Sequence, residues 1–453
     1  AAGLNYTDRL GAKTQIAASY FFNRGENDTE ETLHRQFFNS GTPDEGYDES
    51  SLSHSVNRNH RFSMRLEYAL DSANSIVWRP RLTVQQNEGD AQTLGATLLG
   101  TTALNLSENR YFSDLSGLNC SNALLYRHKF AKKGRTISIE ASGGTAPKTG
   151  DSRLLSRSDY FNRLPPAGDT LDQQGIFDQK NWNAAANVEY TEPAGKNAQW
   201  MLLWRGSYQQ EASDRQISDF NGLSGRYEDL NEPLSNVFSN NYRSQSGGIG
   251  YNYNIGRVLN ISARASAQWA ELNNDQTFPK TDVLDKTFFN LLPTATLRYT
   301  LDKNRNLRFN YRSNTQLPSV GQLQNVVNNT NPLQLTAGNP DLKQAVQHNF
   351  FLRYQAARPA QSRTLFLMLG GGFTADYIGS STWLAGSNYP IFADLNIQSG
   401  AQLTRPANLD GYWSLRSLCT YGFPLKKLKS NLNLDFSYQY SRTPGMVNEV
   451  VNA

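Results

Sequence analysis

Arginines at alternating positions are the residues in this chain best placed to do chemistry. Arg61 and Arg65 sit four apart, as do Arg308 and Arg312, and Arg264 and Arg298 occupy segments of the same pattern. A guanidinium forks two charge-assisted hydrogen bonds onto a carboxylate, a phosphate or a hydroxyl-rich solute. The same group beside a carboxylate braces a wall instead. Glu67, Glu140, Glu189 and Asp435 share the arginines' parity, so bracing is the plainer expectation.

Catalytic patterns are missing. The sequence has no G-x-S-x-G elbow, no phosphate-binding glycine loop and no H-E-x-x-H. His34, His54, His60, His128 and His348 have no metal spacing and read as surface or rim residues. His348 and Asp376 are the one pair on which a rim-type hydrolase could be built, and the pairing is a weak one. The acidic stretch 273–285 offers oxygen ligands to Ca²⁺ but reads more simply as a solvated loop. Gly370-Gly371-Gly372 lies inside a strand pattern, where close packing or a bulge is the plain reading. No enzyme activity, metal or cofactor is expected.

The elements that carry the arginines alternate strictly. In NLRFNYR, Leu307, Phe309 and Tyr311 alternate with Arg308, Asn310 and Arg312. Phe62–Leu70, Leu259–Trp269 and Leu432–Tyr440 repeat the pattern. Such a strand has one apolar and one polar face. Runs near ten residues exceed the usual soluble strand of ~5–6 residues and match the ~9–11 that a tilted strand needs to cross a bilayer.

The connections sort by length. Short turns fall at 7–12, 71–75, 131–135, 192–198, 254–257, 302–305, 357–362 and 426–430. Long polar segments fall at roughly 26–52, 89–112, 148–179, 213–239, 272–286, 317–343 and 378–406. Strict alternation of short and long predicts eight hairpins and sixteen strands in an up-and-down barrel, with every short turn at one rim. Aromatics on the apolar parity flank the short turns, among them Tyr6, Tyr68, Trp78, Phe130, Trp200 and Tyr299, as a membrane girdle requires. The fold class is therefore an all-β antiparallel transmembrane barrel. The apolar parity faces outer-membrane lipid, while Arg61, Arg65, Arg264, Arg298, Arg308 and Arg312 face the lumen.

Composition agrees. Of 453 residues, 38% are hydrophobic and 11% aromatic, and no window holds ~18 consecutive apolar residues, the length of a spanning helix. Mean hydropathy is −0.60, low for a protein that must fill several soluble cores. A net charge of +4 with scattered basic residues, and no reading motif, argues against nucleic acid. Cys120 and Cys419 are too few for a disulfide framework. The chain begins AAGLNY, without Met, and ends NEVVNA, as a processed or excised piece would.

Three stretches carry a family likeness: SDLSGLNCSNALLYRHKFAKKGRTISIEASGG (113–144), LPSVGQLQNVVNNTNPLQLTAGNPDLKQAVQHNFFLRY (317–354) and GAQLTRPANLDGYWSLRSLCTYGFPL (400–425). Through them the whole chain resembles the TonB-dependent-receptor-like outer-membrane barrels of Bacteroidetes. The NPL…GNPDLK pattern is the most specific; read physically, it is a loop-shaping turn with no ligand role. The resemblance implies a Gram-negative outer membrane, solute uptake, a barrel of about 22 strands and an energising TonB-type partner. That partner would act through an N-terminal part that this sequence lacks. Neither a plug domain nor a terminal aromatic strand is seen, so residues 1–453 read as one barrel domain cut at both ends. The solute stays open. A non-transporting surface scaffold and a soluble loop-binding β-protein are the alternatives.

Overall fold

The computed structural model describes residues 1–37, 45–161, 167–323, 326–329, 331, 333–384 and 401–452. Alternation forms strands, and the short turns join each to its sequence neighbour. Nineteen strands hydrogen-bond into one sheet, and every pairing in it is antiparallel. Three breaks divide single courses. Arg79-Pro80 separates Asn74–Trp78 from Arg81–Leu99, and Ala146-Pro147 separates Thr136–Thr145 from Lys148–Tyr160. The 3-10 turn Glu232–Leu234 separates Arg226–Leu230 from Asn236–Ile255. Proline lacks the N–H that a ladder needs, which places the first two breaks. Sixteen courses remain among the described residues, as the turn pattern predicts. The outermost, Ala2–Leu10 and Ser430–Arg442, each pair on one side only among the described residues.

The solvent of each face follows parity. Leu202, Trp269 and Leu291 are 56%, 60% and 66% exposed on interior strands, all on the parity that runs in register through Ile249, Ala265 and Pro293. Asn433, Asp435, Arg264 and Gln268 lie on the opposite face. Placing an arginine outward near mid-bilayer would cost ~2–4 kcal/mol, which fixes the register of each strand against slipping by one. Tyr6, Tyr68, Trp78, Phe130, Trp200 and Tyr299 stand exposed beside the short turns. Trp200 packs on Tyr251 with ring centroids 4.8 Å apart.

Strand length departs from the sequence expectation. Thr102–Lys129 runs 28 residues, Ala167–Pro193 27 and Glu45–Ala69 25. Much of what reads as long loops at 26–52, 89–112, 148–179, 213–239 and 272–286 is the outward continuation of strands. Beyond the lipid both faces meet water, so alternation fades while the backbone ladder continues. Hydrophobic periodicity cannot register such ribbons. The stretches 38–44 and 162–166 within those expected loops lie outside the described residues.

The described parts of the two remaining long segments, together with the C-terminal stretch 445–452, make a second sheet; 324–325, 330, 332 and 385–400 lie outside the described residues. Val327–Asn328, Gln334–Ala337, Tyr377–Leu384, Gln402–Leu409, Gly445–Val447 and Val450–Asn452 form it. Two of its pairings are parallel, Gln334–Thr336 with Gln402–Thr404 and Ser381–Thr382 with Met446–Val447. This cap packs on three separated parts of the inner wall. Leu335 and Leu403 join Ile217 and Leu234; Leu333 joins Tyr47 and Tyr160; Leu323 and Leu342 join Leu272. Tyr47, Ile217 and Leu272 all lie on the lumenal parity, so the cap sits inside the mouth.

Candidate functional site: the lumenal wall and the capped mouth

The lumenal arginines divide into two groups. In the first group each finds a polar neighbour. Arg61 Nε donates to Asn59 Oδ1 at 3.2 Å. Arg65 Nε donates to Glu67 Oε1 at 2.7 Å. Arg264 Nη1 lies 3.6 Å from Glu189 Oε2. Glycine clears space beside Arg264: a Cβ on its cross-strand neighbour Gly250 would stand 3.0 Å from Arg264 Cγ and 2.5 Å from Met201 Cε. Glu140 pairs with Arg79, and Asp435 accepts from Thr420 Oγ1 at 2.6 Å. Three of the four carboxylates thus do brace an arginine, and the fourth holds a threonine.

The other group has no carboxylate. Arg298 stands directly opposite Arg308, and Arg308 opposite Arg353, on three adjacent strands. Such pairs bring Cβ atoms to about 4.5–5.5 Å, and like charges so placed destabilise a sheet. No ion pair involves Arg298, Arg308, Arg312 or Arg353 among the described residues. Arg353 instead sets Cζ 5.2 Å from the centroid of the Phe366 ring, with its Nε buried and unbonded. Arg312 lies one strand from Thr294, which is opposite Arg264. It lines a lumenal cavity of about 1160 Å³, together with Glu140, Glu189, Arg205, Asn187 and Gln268.

Two members escape a reading of the sequence. Arg353 sits in FFLRYQAAR, where Phe351 shares its face and breaks the polar parity; counting register back from the turn at 357–362 would have found it. Arg79 stands beside Pro80, at a strand break, where alternation stops.

The remaining candidates have local roles. His348 Nδ1 is 2.8 Å from the Tyr311 hydroxyl, and its ring stacks on Phe373 with centroids 4.5 Å apart. Asp376 faces Lys343 at 3.9 Å, so the His348–Asp376 pair does not come together. Within the glycine run, a Cβ at Gly371 would fall 2.4 Å from the Ser414 carbonyl oxygen, which is the close packing the sequence suggests. Among the described residues no cluster of three or more His, Cys, Asp or Glu could hold a metal.

The NPL…GNPDLK stretch ties the cap to the wall. Asn331 Nδ2 donates to the Tyr47 hydroxyl at 2.9 Å and to Glu49 Oε2 at 3.1 Å. Burial and the bond to Glu49 push the Tyr47 phenol well above its usual range, so it stays a neutral donor. Asn339 Oδ1 accepts from the Asp341 N–H at 3.0 Å and its Nδ2 donates to the Pro406 carbonyl at 3.0 Å. Lys286 Nζ donates to the carbonyls of Pro340 and Leu342, both at 2.8 Å.

A curved up-and-down sheet, apolar outside and polar within, bordered by aromatics at the turn rim, defines a transmembrane β-barrel wall. Residues 128–453 match the outer membrane protein beta-barrel family, and the chain belongs to that family. Its place is the outer membrane. No curated protein matches the chain. Among solved structures it is similar to the alcaligin outer-membrane receptor FauA of Bordetella pertussis. That match has 10% identity and a TM-score of 0.40, and covers 96% of this chain and 62% of the receptor. It is also similar to the copper transporter OprC, at 9% identity and TM-score 0.49, covering 97% and 63%. A third is BauA, the ferric preacinetobactin receptor of Acinetobacter baumannii, at 9% identity and TM-score 0.43, covering 97% and 61%. The chain thus spans about three-fifths of the length of these structures.

Proposed function

We propose that this wall serves uptake of an anionic or hydroxyl-rich solute across the outer membrane. The observation that carries the reading is the row Arg298–Arg308–Arg353, three cations in register with no carboxylate beside them. A sheet tolerates such a row at lower cost when a mobile anion shares it. Arg312 extends the row to the 1160 Å³ cavity, which Arg205 lines too, together with Glu140 and Glu189. Arg61 and Arg65, held by Asn59 and Glu67, shape a more distant part of the wall, while Arg264, held by Glu189, stands on the strand next to that of Arg298.

The resemblance adds an energising TonB-type protein as partner, acting through a part of the protein outside this sequence. Uptake is then gated by the cap rather than free. A second reading draws on the cap itself: a sheet anchored at three places in the mouth also suits a non-transporting barrel that binds or scaffolds at the cell surface.

Single-channel recording of the full-length protein in planar bilayers, with cap residues 326–337 deleted, tests the choice. Uptake predicts a pore selective for anions, with selectivity reduced at least several-fold in the triple variant R298Q/R308Q/R353Q. A deletion variant that folds but conducts nothing, or conducts without charge preference, favours the scaffold.

A further inference from the structure

We propose that the cleft between the cap and the inner wall is a binding site for a small oxyanion-bearing solute, a carboxylate or a phosphate, anchored on Arg215. The cleft encloses about 480 Å³, within the ~300–1,000 Å³ of ordinary small-molecule sites. Wall and cap contribute to it together. Arg215, Ser213 and Asn236 come from the wall; Gln322, Thr404 and Arg405 come from the cap and the segment leading into it. No Asp or Glu lines it among the described residues.

Arg215 is the feature that asks for an anion. It lies on the inward parity of Ala198–Asn221, between Phe177 and Asn236 on the flanking strands. Its side chain forms no hydrogen bond or ion pair among the described residues. Burial lowers its pKa, with the Tyr111 phenol acting weakly the other way. An arginine nonetheless keeps its proton in a protein. A guanidinium carrying five donors is therefore partly withdrawn from water, in a cleft lined by hydroxyls and amides that can complete the shell of an oxyanion. Arg405, which lines the same cleft, donates Nε to the Gly338 carbonyl at 2.8 Å, a bond that holds this cation within the cap.

The site stands apart from the lumenal row, which lies near the turn rim, and it does not depend on solute passing through the barrel. Because its two halves belong to different sheets, an anion bound there would tie the cap to the wall.

Titration calorimetry of the detergent-solubilised full-length protein, with inorganic phosphate and with succinate as separate probes, tests this. Saturable binding of at least one is expected, weakened tenfold or more in R215Q and in T336W, whose indole fills the cleft without touching the charge. K196Q, in the short turn at the opposite rim, should bind as the parent does. Phosphate without succinate, or the reverse, tells the two chemistries apart. Folding of each variant is checked by heat-modifiable gel migration. Failure of both probes to bind, binding unchanged in R215Q, or an equal loss in K196Q overturns the proposal. A failure here leaves the conductance result standing, and the converse also holds.

Discussion

The membrane girdle and the capped mouth are built from the same chain by opposite rules. In the girdle the largest apolar side chains are the most exposed, as Phe436 at 68% and Trp269 at 60% show. In the mouth they are buried, as Leu333 and Leu403 at 0% show. The girdle has hydrocarbon outside and water within; the mouth has water on both sides and must make its own core. Solvent, rather than composition, therefore decides which side chains hold each region together. Lipid supplies no net drive to bury Phe436, whereas water drives Leu403 into contact with Leu335 and Ile217.

The sharpest way to break this comparison is to cut the mouth's core. Leu403→Ala removes a fully buried side chain and should cost ~2–5 kcal/mol. The loss should be local, read as faster proteolysis at the cap with an unchanged heat-modifiable band. A truncation of Phe436 to alanine that costs as much would show that lipid packs like a core. Next in size is charge on the girdle. Ala265, opposite Ile249 and Pro293 on the outer face, should lose ~2–4 kcal/mol as Ala265→Arg. Asn187→Arg, inside and between Glu140 and Arg205, should stay within about 0.5 kcal/mol in denaturant unfolding from micelles. Equal costs would mean that parity does not set the solvent.

Smaller effects separate the two inner walls. Arg308→Gln relieves two like-charge neighbours and should stabilise by ~0.2–1 kcal/mol. Glu140→Gln removes a partner from Arg79 and should destabilise by about 1 kcal/mol or less. Smallest is the pH response of the two ends. At the turn rim Glu192 accepts from Arg135, Lys132 and Tyr190, and these bonds hold its carboxyl well below the usual range. Its contribution is present above the ordinary carboxylate value and lost as pH falls through the depressed one. On the outer ribbon His54 is raised, first by its 2.7 Å bond to Asp28. Its contribution is present below the ordinary imidazole value and lost as pH rises through the raised one. Amide exchange should accordingly quicken at the turn in strong acid and at the ribbon in mild base.

Legibility in the sequence follows the same division. Strand number, turns and the outward parity were readable because a bilayer imposes period two on every crossing segment. Ribbon length was not, since Thr102–Lys129 loses its apolar alternation once both faces are wet. The cap was also hidden. Its parallel pairing of Gln334–Thr336 with Gln402–Thr404 joins segments far apart in sequence, and Leu333, Leu335 and Leu403 sit among polar neighbours that read as loop. Of the arginine site, the parity of Arg298, Arg308 and Arg312 was visible. That Arg298, Arg308 and Arg353 stand in one row was not, because it depends on registers set by two turns.

The length of the ribbons has a consequence for access. A 28-residue strand such as Thr102–Lys129 reaches roughly 90 Å along its own course, or about 70 Å of height at a tilt near 40°. Subtracting an apolar band of about 25 Å leaves the entrance on the order of 40 Å clear of the hydrocarbon. Arriving molecules therefore meet a tall collar of sheet before any lipid. A delivery protein tethered to the bilayer by only a few residues would be too low to hand cargo over at the rim.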